Sequence, residues 1–396
     1  MNNNISHLYN IAQKENRLII GLMSGTSLDG LDVALCNFKG SGINTEMKLL
    51  QFDTIPYDDN FKNEIKTIFS KKQIDLEKLT LLNAWVGTQH SNMINNLLRK
   101  WSINNADVDI IASHGQTIYH APKTLHGIAA FENATLQIGD GDHIAVGTGI
   151  TTISDFRQKN IAAGGEGAPL AVYGDYLILS KMGEERILLN IGGIANFTYL
   201  PGDNNPSDIF STDVGPGNTM MDAYVQQHFP GKYFDENASI ALQGNVDAAL
   251  LSALKEHTFF TKKFPKTTGP ELFNLNYLTE AQEKSNTTHL STYDVMATLN
   301  KFSADMVAAA IKQTTTNKNI VVYSSGGGMH NPLLMQNIKE QLPEINFKTT
   351  ADLNINPDAK EAILFAVLAN EALCGGITNF GKAAPSVSMG KISFFK

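Results

Sequence analysis

Nine residues, Ser24-Gly-Thr-Ser-Leu-Asp-Gly-Leu-Asp32, bring together the groups that hold a polyphosphate. Gly25 and Gly30 let the backbone approach a phosphate and aim N–H groups at it, and Thr26 and Ser27 add hydroxyl donors. Asp29 and Asp32 would repel the same phosphates unless Mg2+ stood between them. Mg2+ takes about one or two carboxylates together with phosphate oxygens. Residues Gly25, Thr26, Ser27, Leu28, Asp29, Gly30, Leu31 and Asp32 therefore form a first candidate nucleotide loop, and the same stretch also reads as an ordinary hairpin turn rich in turn-formers. A second loop of the same character, Asn190-Ile-Gly-Gly-Ile-Ala-Asn196, adds Gly192, Gly193 and Asn196. Two such loops facing each other would clamp a triphosphate from both sides. Gly326, Gly327 and Gly328, between a strand and a helix, suit close packing under a nucleoside, or simply a strand-to-helix turn.

Asp213, in Thr212-Asp-Val-Gly-Pro-Gly-Asn218, stands at the expected end of a strand starting at Ile209, with Asn218 expected to cap the next helix. A carboxylate so placed serves as a general base where it reaches the proton it removes, and otherwise braces the turn. Arg157 and Lys159 are placed to hold a carboxylate or phosphate, or form a solvated surface pair. His114, Gln116 and Thr117, after an apolar run, offer hydrogen bonds to a sugar; a structural histidine is the competing account of His114. His120, His143 and His330 lack metal-ligand spacing, so no dedicated metal cage is expected. No Gly-x4-Gly-Lys-Ser/Thr loop, no protein-kinase catalytic loop and no dinucleotide fingerprint occurs, which leaves the hairpin clamp as the route to ATP.

These residues need elements to carry them. Leu18–Met23 and Leu31–Phe38 flank the first loop as two strands of a hairpin, and Ile187–Leu200 repeats that layout around the second. The stripe Leu82, Trp85, Val86, Met93, Leu97 and Trp101 predicts a helix to about Lys100. Val108–Ser113 reads as a buried strand delivering His114 to Thr117 at its end, and Asn319–Ser325 as another. Asn331 and Pro332 then open a helix, and a last helix spans about 358–373. Similar strand–turn–strand units opening two halves, each followed by alternating elements, indicate a mixed α/β protein with internal duplication.

Composition narrows the partners. The 31 Lys and Arg against 39 Asp and Glu give a net charge of -8, which repels nucleic acid and anionic membranes, and no basic run offsets it. No stretch approaches the ~18 continuous apolar residues of a membrane span. The polar first 17 residues are not expected to act as a signal peptide, and the isolated Cys36 and Cys374 fit a reducing compartment, so a cytoplasmic location is expected.

Together the segments resemble the anhydro-N-acetylmuramic acid kinases of bacterial cell-wall (peptidoglycan) recycling. The resemblance runs in order through residues 23–32, Ser113-His-Gly-Gln-Thr117, Leu136–Gly139, Asp155-Phe-Arg157, Gly164–Leu170, Leu189–Asn196, Asp213–Asn218, Pro265–Gly269 and Gly326–Leu334. It implies a duplicated actin-like (ribonuclease H-like) two-domain kinase fold with a central nucleotide cleft. The lobes expected are 1–153 plus 355–396, and 154–354. It further implies ATP with Mg2+, a small anhydro amino sugar as partner, a homodimer, Asp213 as the base that activates water, and Glu361 as an acidic group near the sugar. Departures from the family pattern fall at Gln158, Lys159, Asn160, Glu166 and Pro270, and bear on sugar contacts more than on the reaction. Another amino sugar as acceptor, or a catalytically silent sugar-sensing role, stays open.

Overall fold

The two hairpins expected from the glycine loops are present in the computed structural model, which describes residues 2–396 except 169, 316, 318, 354–355, 377–379 and 381–384. Pro169 of the 164–170 motif and the lobe boundary expected at 354/355 lie outside the described residues. In chain order the first strands are β1 (Asn16–Ser24), β2 (Gly30–Lys39), β3 (Glu46–Pro56), β4 (Ile110–Ala121), β5 (Ala134–Ile138) and β6 (Thr152–Ser154). There follow β7 (Arg186–Ile191), β8 (Ile194–Leu200), β9 (Phe210–Pro216), β10 (Val321–Ser325), β11 (Asn346–Thr349) and β12 (Lys391–Ser393). Among the described residues they form two sheets, of order β12-β6-β4-β1-β2-β3, with β5 alongside β4, and β11-β10-β7-β8-β9.

The two sheets share one plan. In each, a three-stranded antiparallel meander (β1-β2-β3; β7-β8-β9) is extended on the side of its first strand by two parallel strands, β4 and β6 or β10 and β11. The order β3-β2-β1-β4-β6 in one sheet and β9-β8-β7-β10-β11 in the other is the duplicated ribonuclease H-like arrangement. Residue identity between the halves is too weak to reveal it; strand pairing makes it plain.

The chain divides into two compact units, Met1–Leu179 with Pro206–Asp208 and Ile355–Lys396, and Ser180–Asn205 with Ile209–Asn354. Residues 154–179, expected in the second lobe, lie in the first unit. β6 pairs with β4 there, and the helix Ala171–Leu179 packs on the C-terminal helix Lys360–Cys374.

In the first unit the central strands are covered on both faces, which is why β1 and β2 read as nearly continuous apolar runs rather than alternating ones. One face, carrying Ile20, Leu22, Val33, Leu35 and Ile111, packs with Leu82, Val86, Ile94 and Leu97 of the helix Leu76–Trp101. Asp75 starts that helix by accepting from the N–H groups of Glu77 and Lys78. The C-terminal helix lies against β1, where a Cβ on Gly21 would stand 1.9 Å from the Ala362 carbonyl oxygen. Only glycine lets the helix backbone come down on the strand there. The second unit has its own core, including Ile187, Leu189, Phe197, Val214, Phe302, Val307 and Val322.

Two strands outrun the sequence reading. β4 continues to Ala121 because β5 pairs antiparallel with its second half, so His114 and Gln116 lie within a strand rather than beyond it. β9 likewise runs through Asp213 to Pro216. The helix Thr219–His228 starts after Asn218, but the Asn218 side chain does not cap it. Asn331 does cap its helix, accepting from the Leu334 N–H at 3.0 Å.

Candidate active site

The first unit gathers its expected residues around the β1–β2 turn. Thr26, Ser27 and Asp29 are exposed there, whereas Leu28 and Leu31 are buried in the core and anchor the loop. Their side chains are taken up by the core, which leaves only backbone atoms to face a ligand. Asp32, directly opposite Met23 across the hairpin, accepts from the Thr54 hydroxyl at 2.6 Å. Burial raises its carboxyl above the usual range against the Thr54 hydrogen bond, and the charges of Asp358 and Asp29 add to the rise. Glu361, at the start of the C-terminal helix, is accessible to water. Its carboxyl is raised by desolvation, lowered by Arg157, and raised again by Asp32. Asp32, Arg157 and Glu361 thus share one electrostatic neighbourhood beside the loop.

Arg157 opens the helix Phe156–Ala162 and is held rigidly. Its Nε donates to His114 Nε2 at 2.9 Å and its Nη1 to the Gly167 carbonyl at 2.6 Å. His114 is buried, its ring packed on Phe365, and burial with the Arg157 charge lowers its pKa to about 3. It is a neutral acceptor that aims Arg157, not the direct sugar ligand expected from the sequence. Gln116 is fully buried too, bonded to Ser24 and to the Gly25 carbonyl. Thr117 receives a hydrogen bond from Gln137. Lys159 is exposed on the same helix, with no side-chain hydrogen bond or ion pair among the described residues.

The family departures at 158 and 160 are absorbed by the scaffold. Gln158 donates to the Thr135 carbonyl at 2.6 Å. Asn160 accepts from the Gly167 N–H and donates to the Tyr173 hydroxyl, each at 2.9 Å. It therefore fixes the glycine loop whose Gly167 carbonyl grips Arg157. Glu166 and Pro270 are exposed.

The second unit builds a polar row. Ser325, Asn190, Asn196 and Asp213 are successive cross-strand partners on β10, β7, β8 and β9. Paired residues share a sheet face at ~4.5–5.5 Å between Cβ atoms, so four polar side chains stand side by side. The glycine loops border this row. The N–H groups of Gly217 and Thr219 donate to Gly193 O, and that of Asn218 to Gly192 O at 2.9 Å. Gly326, at φ 82°, closes in from β10, where a Cβ would sit 2.6 Å from Asn190 Oδ1. Gly192, Gly193, Asn196, Asp213, Gly326, Gly327 and Gly328 are therefore one neighbourhood.

Asp213 itself is half-buried. Its Oδ2 accepts from the Thr268 N–H at 2.8 Å, and Oδ1 has no hydrogen bond among the described residues. Burial raises its carboxyl, the Thr268 N–H opposes this, and the nearby Glu271 charge adds to the rise.

A family model described as anhydro-N-acetylmuramic acid kinase matches residues 17–393. The chain belongs to the anhydro-N-acetylmuramic acid kinase family. It is 57% identical over 399 residues to anhydro-N-acetylmuramic acid kinases of Pseudoalteromonas atlantica and Pseudoalteromonas translucida, covering 100% of each partner and of itself. With the enzyme of that name from Caldanaerobacter subterraneus it shares 39% identity, over 98% of this chain and 100% of the relative. It is accordingly a kinase, a phosphotransferase with an alcohol group as acceptor.

Sequence reading passed over Asn190, Ser325 and Asp222. Asn190 was detectable, since Asn190 and Asn196 stand symmetrically about Gly193 and so must face each other in a hairpin. Ser325 enters the row only through parallel pairing of β10 with β7, which no local pattern announces. Asp222 sits one turn past Asn218, its carboxyl pushed up to about 6 by burial.

Proposed function

We propose that the chain uses ATP and water to convert 1,6-anhydro-N-acetylmuramic acid into N-acetylmuramic acid 6-phosphate and ADP. Asp213 carries the reading. A half-buried carboxylate with one oxygen fixed by the Thr268 N–H and the other open is built to orient and deprotonate a water. The water oxygen bonds to the anomeric carbon as the bridge C–O bond breaks, and its proton passes to Asp213. The freed sugar oxygen attacks the γ-phosphorus, and the bond to ADP breaks. Because the leaving alkoxide is itself the nucleophile for phosphorus, ring opening and phosphoryl transfer assist each other.

In this reading Arg157, aimed by His114 and Gly167, pairs with the sugar's carboxylate, while Glu361 accepts from its hydroxyl or amide groups. Amides and hydroxyls of the 25–32 loop and of Gly192–Gly193 bind the phosphates, and Gly326–Gly328 with Asn196 complete the nucleotide contacts. Mg2+ fits the first loop. The Asp32 carboxyl is held above its usual range by burial first and further by the charges of Asp358 and Asp29, and a cation would relieve that last part. Asp29 or Asp32 would hold it, and it would neutralise charge on the transferring phosphoryl group. No cluster of three or more His, Cys, Asp or Glu suited to a metal occurs among the described residues.

A cytoplasmic location, expected from the cysteines and the polar first residues, and a homodimer, expected from the family, belong to the same proposal. No helix among the described residues is long and apolar enough to cross a membrane. Mass spectrometry of the product formed in 18O-water tests the chemistry. Label is expected at the anomeric oxygen and not in the phosphate. Unlabelled product, or phosphorylation only of sugars already hydrolysed, would overturn the coupled reaction.

A further inference from the structure

Behind the first loop lies a line of buried polar side chains that neither the reaction nor the sugar contacts require. Ser24 Oγ lies 2.7 Å from Tyr57 Oη and 2.5 Å from Gln116 Oε1, and Tyr57 Oη lies 3.0 Å from His90 Nε2. All four residues are at most 3% exposed. Hydroxyls, an amide and an imidazole are costly in a core unless each is satisfied, so the arrangement of their protons is constrained.

The donors and acceptors resolve in one direction only. Gln116 Nε2 donates to the Gly25 carbonyl at 3.3 Å, which leaves Oε1 to accept from the Ser24 hydroxyl. The Ser24 oxygen is then the acceptor for Tyr57 O–H, and the Tyr57 oxygen accepts from His90, whose proton must be on Nε2. His90 Nδ1 is left as a buried lone pair with no partner. Burial lowers the His90 pKa to about 4, so this neutral form persists at neutral pH. The Tyr57 N–H also donates to the Asp29 carbonyl at 3.1 Å. One chain thus grips both ends of the loop: the Gly25 carbonyl through Gln116 and the Asp29 carbonyl through Tyr57. Stacking of the Tyr57 ring on Phe61, with centroids 3.8 Å apart, immobilises its middle.

We propose that His90, Tyr57, Ser24 and Gln116 form a directed hydrogen-bond chain that holds residues 25–29 in the shape that receives ATP phosphates. Tyr57 and His90 are thereby positioning residues for the nucleotide. The inference rests on the assignment of that loop to ATP. The hydroxyls are buried, so their influence reaches the loop through Gln116 at the Gly25 carbonyl and through the placement of Tyr57, whose backbone N–H holds the Asp29 carbonyl. Such an influence acts on ATP and leaves the sugar alone.

Tyr57→Phe keeps the ring and its stacking and deletes the O–H; Ser24→Ala breaks the same chain one link away. For the full-length variants we expect ATP dissociation constants and KM for ATP about tenfold higher than in the parent, with KM for the sugar unchanged. The double variant should be no worse than either single one, since one break already disconnects the chain. Unchanged ATP affinity in both variants, with only a lower melting temperature, would reduce the chain to core packing. Equal weakening of ATP and sugar, or strictly additive effects, would overturn it as well. Should the parent itself bind no ATP in the calorimeter, the loop assignment fails and takes the chain with it, an outcome separate from a parent that binds and variants that bind equally.

Discussion

Alanine at position 21 tests how the C-terminal helix delivers Glu361. The added methyl carbon would lie 1.9 Å from the Ala362 carbonyl oxygen and 3.1 Å from the Ala366 Cβ, where real contacts stay beyond 3.0 Å. Helix and strand must therefore separate by about 1 Å. Alanine restricts the unfolded chain, a gain of about 0.4–1 kcal/mol, but overpacking a core costs about 1–3 kcal/mol, and the second effect wins. A drop in melting temperature of about 1–3 °C is expected. Glu361 is the residue before Ala362, so the same displacement moves the proposed sugar contact. Misplacement of about 1 Å costs roughly a hundredfold in rate. The assay is calorimetric melting together with kcat/KM for the anhydro sugar and, separately, ATP binding. A Gly21→Ala protein with the parent's stability and kcat/KM would show that the helix does not bear on β1 at this point.

Asp213→Asn should lower turnover by about 10²–10⁴-fold while sparing ATP binding, as followed by product mass spectrometry and calorimetry. Its stability moves the other way. A carboxyl raised by burial stabilises the fold below its unfolded value and loses that contribution as pH rises through the folded value. At neutral pH the asparagine variant should consequently melt at or above the parent temperature, and a marked decrease would contradict the burial account. The same shift places the acid limb of kcat/KM above the ordinary aspartate range, because the base must be ionised. Asp222, pushed up to about 6, titrates on that side too, so the limb is to be read in an Asp222→Asn background, where it should persist. Arg157→Lys replaces a fork fixed at His114 and Gly167 by a single point charge. KM for the sugar should rise about tenfold or more with KM for ATP unchanged. Chelating Mg2+ should stop turnover yet leave sugar binding, measured by calorimetry, intact.

The glycine loops and Asp213 were legible because they announce themselves locally: apolar runs broken by glycines, hydroxyls and a lone acid fix where the backbone turns and which side chains sit at the turn. Relations across strands were another matter. That Asp213 joins Asn196, Asn190 and Ser325 in one row depends on register among β9, β8, β7 and β10, and the last of these lies more than a hundred residues beyond Asp213. His114 and Gln116 show the same limit from the opposite direction. Their residue types suit a sugar, and only the continuation of β4 through its pairing with β5, with the Phe365 ring packed on His114, shows that both are buried. Burial then changes their work from contact to aim, His114 holding Arg157 and Gln116 holding the Gly25 carbonyl. Residue type tells what a side chain is able to bond; the register of distant strands decides whether a ligand or the protein itself takes that bond. Polar residues beside glycine loops in this fold are therefore to be judged by what the neighbouring strand covers before any of them is given to a substrate.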